Sequence, residues 1–192
     1  MPRLGWSRMQ RRLHWGTALG VGLAFVLAWV MVAVPLRALL VKFLLYQAHK
    51  TLGLLVLLAT LIRLPVRVRR GRPDWDADLS PWQRHAAGRV HLALYALLLT
   101  VPVLGYFTAA TAPAQVPTLF LLVIPVPHLV GASKAAFGVL RPLHRALAIM
   151  LVGLAAGHAA MALRHHWRGR RMLVAMWRGD KPPSALPPGT PH

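Results

Sequence analysis

The length of its apolar segments is the feature that most constrains this chain. The first segment, from Leu13 to Val34, has no charged side chain, and a helix needs about 20 such residues to cross the hydrocarbon core of a bilayer. Similar segments recur, so four crossings and their connections use nearly all 192 residues. The sequence predicts an all-α integral membrane four-helix bundle, in one domain over residues 1–178. The predicted spans are about 13–34, 43–66, 90–110 and 143–164.

Composition supports a membrane protein and excludes several kinds of site. Hydrophobic residues make up 56% of the chain and charged residues only 14%, which is typical of membrane proteins. Cysteine is absent, which excludes disulfides, cysteine-ligated iron-sulfur clusters and covalently attached haem. The net charge of +19 comes from basic residues beside apolar segments, which predicts contact with lipid head groups and no nucleic-acid partner. The Pro-rich tail, residues 179–192, is predicted to be disordered.

The distribution of basic residues predicts the orientation. The N-terminus, the middle connection and the C-terminal region carry 17 Lys and Arg residues, against six around the other two connections. By the positive-inside rule, both termini face the cytoplasm. Arg63 and Arg67 are interpreted as charges that reach the inner interface, and residues 65–89 as a loop. Residues 118–126 are apolar but few, which favours an interfacial segment over a fifth crossing.

Histidines lie inside or at the mouths of the apolar segments, where an imidazole is costly and marks a candidate functional site. His144 and His158 are fourteen residues apart, so both rings leave one helix face at depths about 21 Å apart. In the predicted topology His14 lies at the depth of His158, and His49 lies at the depth of His144. The four residues therefore form two predicted pairs, stacked along the membrane normal.

Each pair is suited to hold one haem between helices, because two neutral imidazoles can bind an iron from both faces. We predict two haem b groups with His14, His49, His144 and His158 as axial iron ligands. The alternative is that these rings only hydrogen-bond inside the bundle, and pairing by depth favours ligation. His91, at the inner mouth of the third span, is a rival that can replace His14, contact a propionate or support a ligand.

Other residues near these histidines have two interpretations each. Arg12, Lys50 and Arg145 adjoin candidate ligands and can pair with haem propionates. They can equally be charges that only orient the helices. Trp15 is interpreted first as an interfacial anchor, and second as a contact for a quinone.

Four segments, read in order, resemble the bacterial cytochrome b561 family. They are SRMQRRLHW at residues 7–15, HKTLG at 49–53, HLALYALLLTVPVLGY at 91–106 and LHRALAIMLVGLAAGHAAMALRHHW at 143–167. The resemblance implies a bacterial inner-membrane cytochrome with two haem b groups, ligated at the positions of the four histidines. It also implies electron transfer between quinone and a second redox partner, and some members are described as oxidising superoxide and reducing ubiquinone.

The resemblance weakens in the regions that would contact quinone. Residues 167–176 read WRGRRMLVAM, which departs from the family's usual sequence after the double histidine. Some members present a lysine towards quinone from the middle loop, where this chain offers Arg84. Trp15, Arg84 and His165 are the candidate quinone contacts.

The leading hypothesis is an electron-transfer oxidoreductase that takes electrons at the outer haem and passes them inward to ubiquinone. The donor is a redox protein or a small anion such as superoxide, which the outer basic residues would attract. A second hypothesis is a cytochrome b subunit that exchanges electrons with a partner dehydrogenase. A third is a haem-free membrane interaction or transport protein. The outer basic residues are Lys50, Lys134, Arg141 and Arg145.

Overall fold

Four long helices form the protein in a computed structural model, which describes residues 5–70, 80–170 and 172–179. All four are long and apolar enough to cross a membrane, and the predicted all-α four-helix architecture is confirmed. The helices are α1 (Arg8–Ala33), α2 (Leu39–Arg70), α3 (Pro81–Thr111) and α4 (Lys134–Trp167). A 3-10 turn, Leu36–Ala38, joins α1 to α2, and a short helix α5 (Met172–Arg178) follows α4.

Local sequence explains where the long helices begin. The Ser7 side chain accepts from the backbone N–H of Gln10, and the Gln10 side chain caps Ser7 in return. The same reciprocal box joins Ser80 and Gln83 at the start of α3, with Pro81 in the first helical position. Such boxes satisfy N–H groups that have no partner within the helix.

The helices extend beyond the expected crossings, and the expectation of a loop over residues 65–89 is wrong at both ends. Helix α2 continues through Pro65 to Arg70, and α3 begins at Pro81. Charged side chains end an apolar segment but not a helix, because Arg is a good helix former outside hydrocarbon. Residues 71–79 of the expected loop lie outside the described part of the chain, and so does the tail beyond Gly179.

An antiparallel β-hairpin connects α3 to α4. Strand β1 (Thr118–Phe120) pairs with β2 (Ile124–Val126), and Leu119 lies opposite Pro125. Leu121 and Leu122 in the turn have φ angles of 53° and 63°, which are strained for residues with a Cβ atom. The predicted interfacial segment is therefore a hairpin with an apolar, exposed turn.

Helix α2 fastens this hairpin through polar side chains. The Gln47 side chain is 0% exposed; it donates to the Pro117 carbonyl at 2.8 Å and accepts from the Leu119 N–H at 2.9 Å. The Thr51 hydroxyl accepts from the N–H of Leu121 at 3.1 Å. Because these groups are satisfied together, the hairpin is held against one end of the bundle.

The packed core lies halfway along the bundle. It consists of Val56, Leu97, Leu98, Val101 and Leu151, contributed by α2, α3 and α4. Many other apolar side chains, including Leu19 and Leu58, are more than half exposed. A soluble monomer rarely exposes so large an apolar surface, whereas lipid would cover it in a membrane.

Candidate functional site

One pair of histidines lies at the end of the bundle that carries the hairpin, and we call it the hairpin-side pair. The ring centroids of His49 and His144 are 6.3 Å apart, with an interplanar angle of 86°. His49 Nδ1 lies 2.9 Å from the Ala24 carbonyl, and His144 Nδ1 lies 3.0 Å from the Val101 carbonyl. A carbonyl only accepts, so each Nδ1 carries the hydrogen and each Nε2 keeps its lone pair.

Gly105 of α3 makes room for one ring of this pair. A Cβ atom at this position would lie 2.9 Å from His144 Cε1 and 3.3 Å from its Nδ1. Only glycine therefore lets α3 approach the imidazole this closely without displacing it. The close approach also places the Val101 carbonyl, one turn earlier, within reach of the same ring.

A second group of histidines lies at the end where α1 and α3 begin, and we call it the terminus-side cluster. His14 of α1 and His158 of α4 have ring centroids 6.3 Å apart, with an interplanar angle of 75°. His91 of α3 lies closer to His158, at 5.1 Å and 70°. The structure thus brings together all three rings that sequence reasoning placed at this depth.

Arg63 gives the terminus-side cluster a different hydrogen-bond pattern. Its Nη2 atom lies 2.8 Å from His14 Nδ1, and a guanidinium only donates. Nδ1 of His14 is therefore the acceptor, and a neutral ring then carries its hydrogen on Nε2. The sequence predicted only an interfacial role for Arg63. The spacing of His14 and Arg63 on two consecutive antiparallel helices is the signal that could have indicated this contact.

Tyr95 lies between Arg63 and a second arginine. The guanidinium carbons of Arg63 and Arg67 are each 5.3 Å from the centroid of the Tyr95 ring. Its buried hydroxyl has no hydrogen-bond partner among the residues that the structure describes. This aromatic and cationic cluster adjoins the histidines and was not predicted from the sequence.

Two of the three cations predicted near haem propionates contact other groups of the protein, and the third, Arg12, is exposed. Lys50 Nζ donates to the Val116 and Pro117 carbonyls at 3.3 and 3.4 Å, which adds a further link between α2 and the hairpin. The guanidinium carbon of Arg145 lies 5.9 Å from the Trp29 ring centroid. Lys50 and Arg145 therefore have observed protein partners of their own.

The hairpin also holds a polar histidine outside the membrane-spanning segments. His128 Nε2 lies 3.2 Å from the Thr118 hydroxyl. Burial lowers the pKa of His128, and the nearby charge of Lys50 lowers it further. This histidine is therefore expected to be neutral when the protein is folded at neutral pH.

The candidate quinone contacts are only partly brought together. Trp15 lines a half-open cleft of about 580 Å³ between α1, the end of α4 and α5. Its indole nitrogen donates to the Met176 carbonyl at 3.3 Å. His166, rather than His165, lines this cleft, with Arg170 and Trp177, whereas Arg84 lies on the first turn of α3 and is not part of it.

An apolar layer separates the hairpin-side pair from the terminus-side cluster. Leu151 lies midway between His144 and His158 along α4, and Val56 lies between His49 and Arg63 along α2. Within residues 5–70, 80–170 and 172–179, no group of three His, Cys, Asp or Glu side chains can hold a bare metal ion. The apolar layer therefore places the histidines in two separate groups, one towards each end of the bundle.

Comparison with known proteins gives consistent matches. Residues 5–179 match the family model described as prokaryotic cytochrome b561. Cytochrome b561 homolog 2 of Escherichia coli (strain K12) is 31% identical over 121 residues, which is 63% of each chain. This alignment spans slightly less than two thirds of that relative. Cytochrome b561 homolog 1 of the same organism is 28% identical over 166 residues, covering 84% of this chain and 89% of the relative.

Proposed function

Because the chain belongs to the prokaryotic cytochrome b561 family, a family of haem b electron-transfer proteins of bacterial membranes, we propose that it binds two haem b groups. One would lie at the hairpin-side pair and one at the terminus-side cluster. Bound haems would supply one-electron transfer, with quinone as the proposed acceptor. The supporting observation is that two histidine pairs, on opposite sides of an apolar layer, have the same ring spacing.

The ring spacing fits axial ligation. An imidazole nitrogen lies about 2 Å from a bound metal, so two rings on opposite sides of one iron have centroids roughly 6 Å apart. The two pairs are each 6.3 Å apart. His91 and His158, at 5.1 Å, are closer than this arrangement requires. The spacing therefore supports His14 over His91 as the partner of His158.

The rings of the hairpin-side pair already have the tautomer that metal binding requires. Both rings keep the Nε2 lone pair because the carbonyls of Ala24 and Val101 bind the other nitrogen. Such contacts fix the orientation and tautomer of a ligating histidine and raise its basicity. His49 and His144 therefore need no change of tautomer to bind iron.

We propose the cytoplasmic membrane as the location, with both termini in the cytoplasm. The excess of Lys and Arg on the side of the termini supports this orientation. The hairpin then faces outward, and electrons enter there and leave near the terminus-side cluster. Trp15 and the cleft beside it are the proposed quinone contact, because an indole can stack on a flat ring.

Superoxide is the proposed donor, since exposed cations lie at the hairpin end of α4. Lys134, Arg141 and Arg145 are exposed there, and a basic surface raises the local concentration of small anions. Two superoxide anions would each lose one electron and leave as dioxygen. The two electrons, with two protons, would reduce one quinone to quinol.

The test begins with the purified protein from cells supplied with porphyrin. We expect reduced b-type absorption bands and about two haems per chain. A colourless protein would contradict the proposal and favour a haem-free membrane protein. Haem that survives replacement of the paired histidines would also contradict it.

In quinone-containing vesicles, superoxide should reduce quinone more slowly when salt is added or when Lys134 and Arg141 are changed to Gln. Co-purification of a dehydrogenase, without superoxide activity, would favour a partner subunit instead.

A further inference from the structure

Two cations and one phenol lie together beside the terminus-side cluster, on neighbouring helices. Arg63 and Arg67 are four residues apart on α2, so both side chains project from one face. Each guanidinium carbon lies 5.3 Å from the ring centroid of Tyr95 on α3. The two arginines therefore share one aromatic ring.

This cluster has no negative charge among its described neighbours. The sequence contains four acidic residues, Asp74, Asp76, Asp78 and Asp180, and all four lie outside the described residues. Arginines four residues apart repel one another, and partial burial of their charge costs free energy unless an anion compensates. A bound anion would remove both costs.

The donors suit one kind of anion. A guanidinium presents a planar fork of N–H groups that matches the two oxygens of a carboxylate. The Tyr95 hydroxyl is buried without a hydrogen-bond partner among the described residues, and such a group destabilises the fold until it is paired. A carboxylate that entered this cluster would offer an acceptor to the hydroxyl and a negative charge to the cations.

We propose that Arg63, Tyr95 and Arg67 form the receptor for the propionate carboxylates of the haem at the terminus-side cluster. This inference rests on the proposed function, because it needs a haem held by His14 and His158. Arg63 already contacts His14, which places the receptor beside a ligand. This receptor does not consist of the cations that adjoin the histidines in the sequence. Its residues come from α2 and α3 and meet only in the folded chain.

Engagement of Arg63 by a carboxylate would also change His14. In the present hydrogen bond, His14 Nδ1 accepts from Arg63. When the guanidinium donates to a carboxylate instead, Nδ1 is free to carry the ring hydrogen, and Nε2 becomes the atom with the lone pair. The receptor thereby gives His14 the tautomer that the hairpin-side pair already has.

Arg67→Gln in the purified holoprotein is the sharpest test, because the arginine that is hydrogen-bonded to the ligand His14 is Arg63 and stays in place. Haem is labelled with carbon-13 at its carboxyl groups, and redox-difference infrared spectra and the midpoint potential of each haem are measured. We expect the labelled carboxylate bands to move and the terminus-side haem to become harder to reduce. The lost attraction should shift its reduction equilibrium about fivefold. Arg67→Lys, which keeps the charge, should restore most of the potential but not the bands.

Arg69→Gln is the matched control, since it removes an equal charge from an exposed position on the same helix. Tyr95→Phe keeps the ring and removes only the hydroxyl, so it tests the receptor even if Arg67→Gln folds poorly. Labelled bands and potentials that match between Arg67→Gln and Arg69→Gln, with Tyr95→Phe unchanged, would overturn the receptor. Two haems in the wild type with that result would leave the proposed function intact, whereas a wild type without haem would overturn both. An anion from lipid or from the connecting loop would leave the labelled bands unmoved.

Discussion

The hairpin-side pair and the terminus-side cluster have the same 6.3 Å spacing between paired rings but differ in how those rings are held. Backbone carbonyls bind both rings of the hairpin-side pair. In the terminus-side cluster a third imidazole and the Arg63 guanidinium surround the pair. Ring spacing alone therefore does not fix which nitrogen is available to a metal. The groups around the rings decide it.

Removal of one histidine from either pair should have the strongest effect and should distinguish the two sites. His144→Ala and His158→Ala should each lower the haem content from about two to about one per chain, because each removes one ligand of one pair. The remaining haem should keep its own spectrum and midpoint potential. Pyridine haemochrome assays measure the haem content, and redox titration followed by absorption measures the spectrum and the midpoint potential. Loss of both haems from either variant would show that the two sites do not form independently.

Removal of the Gln47 side chain should weaken the hairpin-side pair next most strongly. Gln47→Leu leaves the Leu119 N–H without its partner and leaves the Pro117 carbonyl only its longer contact with Lys50, at a cost of about 1–3 kcal/mol for the unsatisfied N–H. Heating should release the hairpin-side haem at a lower temperature, while the terminus-side haem is little changed.

Thr60→Val is the control for this experiment, because Thr60 is equally buried but donates only to the Val56 carbonyl of its own helix. Its effect on either haem should be small. Equal losses in Gln47→Leu and Thr60→Val would mean that fastening of the hairpin does not support His49.

Gly105→Ala tests the tight fit of α3 against His144. The new Cβ atom would lie 2.9 Å from the ring, and overpacking of this kind costs about 1–3 kcal/mol. The electron paramagnetic resonance spectrum of the hairpin-side haem should change, because the ring must tilt. Gly153→Ala on α4 is the control, since its Cβ atom would meet nothing within 4 Å. A Gly105→Ala spectrum identical to that of the wild type would show that the His144 ring can accommodate the added methyl group without tilting.

His91→Phe should have a smaller effect, confined to the terminus-side cluster. The 6.3 Å spacing favours His14 as the partner of His158, so both haems should remain and only one midpoint potential should shift. His14→Phe should instead remove or convert that haem. The reverse pattern, with haem lost in His91→Phe and kept in His14→Phe, would make His91 the ligand.

A weak pH dependence is expected at the hairpin. Burial and Lys50 lower the pKa of His128 from its ordinary 6.5, so the unfolded chain binds this proton more readily than the folded one. The stability contribution is complete above pH 6.5 and is lost as the pH falls from 6.5 towards the folded pKa. Release of the hairpin-side haem on heating should therefore become slightly easier in mild acid. His128→Gln should remove this component, and an unchanged acid slope in that variant would assign it elsewhere.

Much of this architecture was predictable because hydrocarbon imposes a strong and simple pattern. The apolar segments predicted four helices, and the interval between His144 and His158 predicted two levels on α4. Contacts between helices were harder to predict. Nothing local indicates that Arg63 faces His14, that Gly105 receives a ring or that Gln47 holds the hairpin, because each contact joins residues far apart in the chain. The helix ends were also missed, since a change in polarity marks the hydrocarbon boundary rather than the end of hydrogen bonding.

The apolar layer around Val56 and Leu151 has an electrical consequence. Its nearest polar group on α2, the Thr60 hydroxyl, is bonded to its own helix and offers no relay for a proton. With electrons crossing in the proposed direction, and protons for quinol drawn from the cytoplasm, each turnover would leave that compartment more negative. The bundle would then carry electrons across the membrane without a return flow of protons, and each turnover would increase the membrane potential.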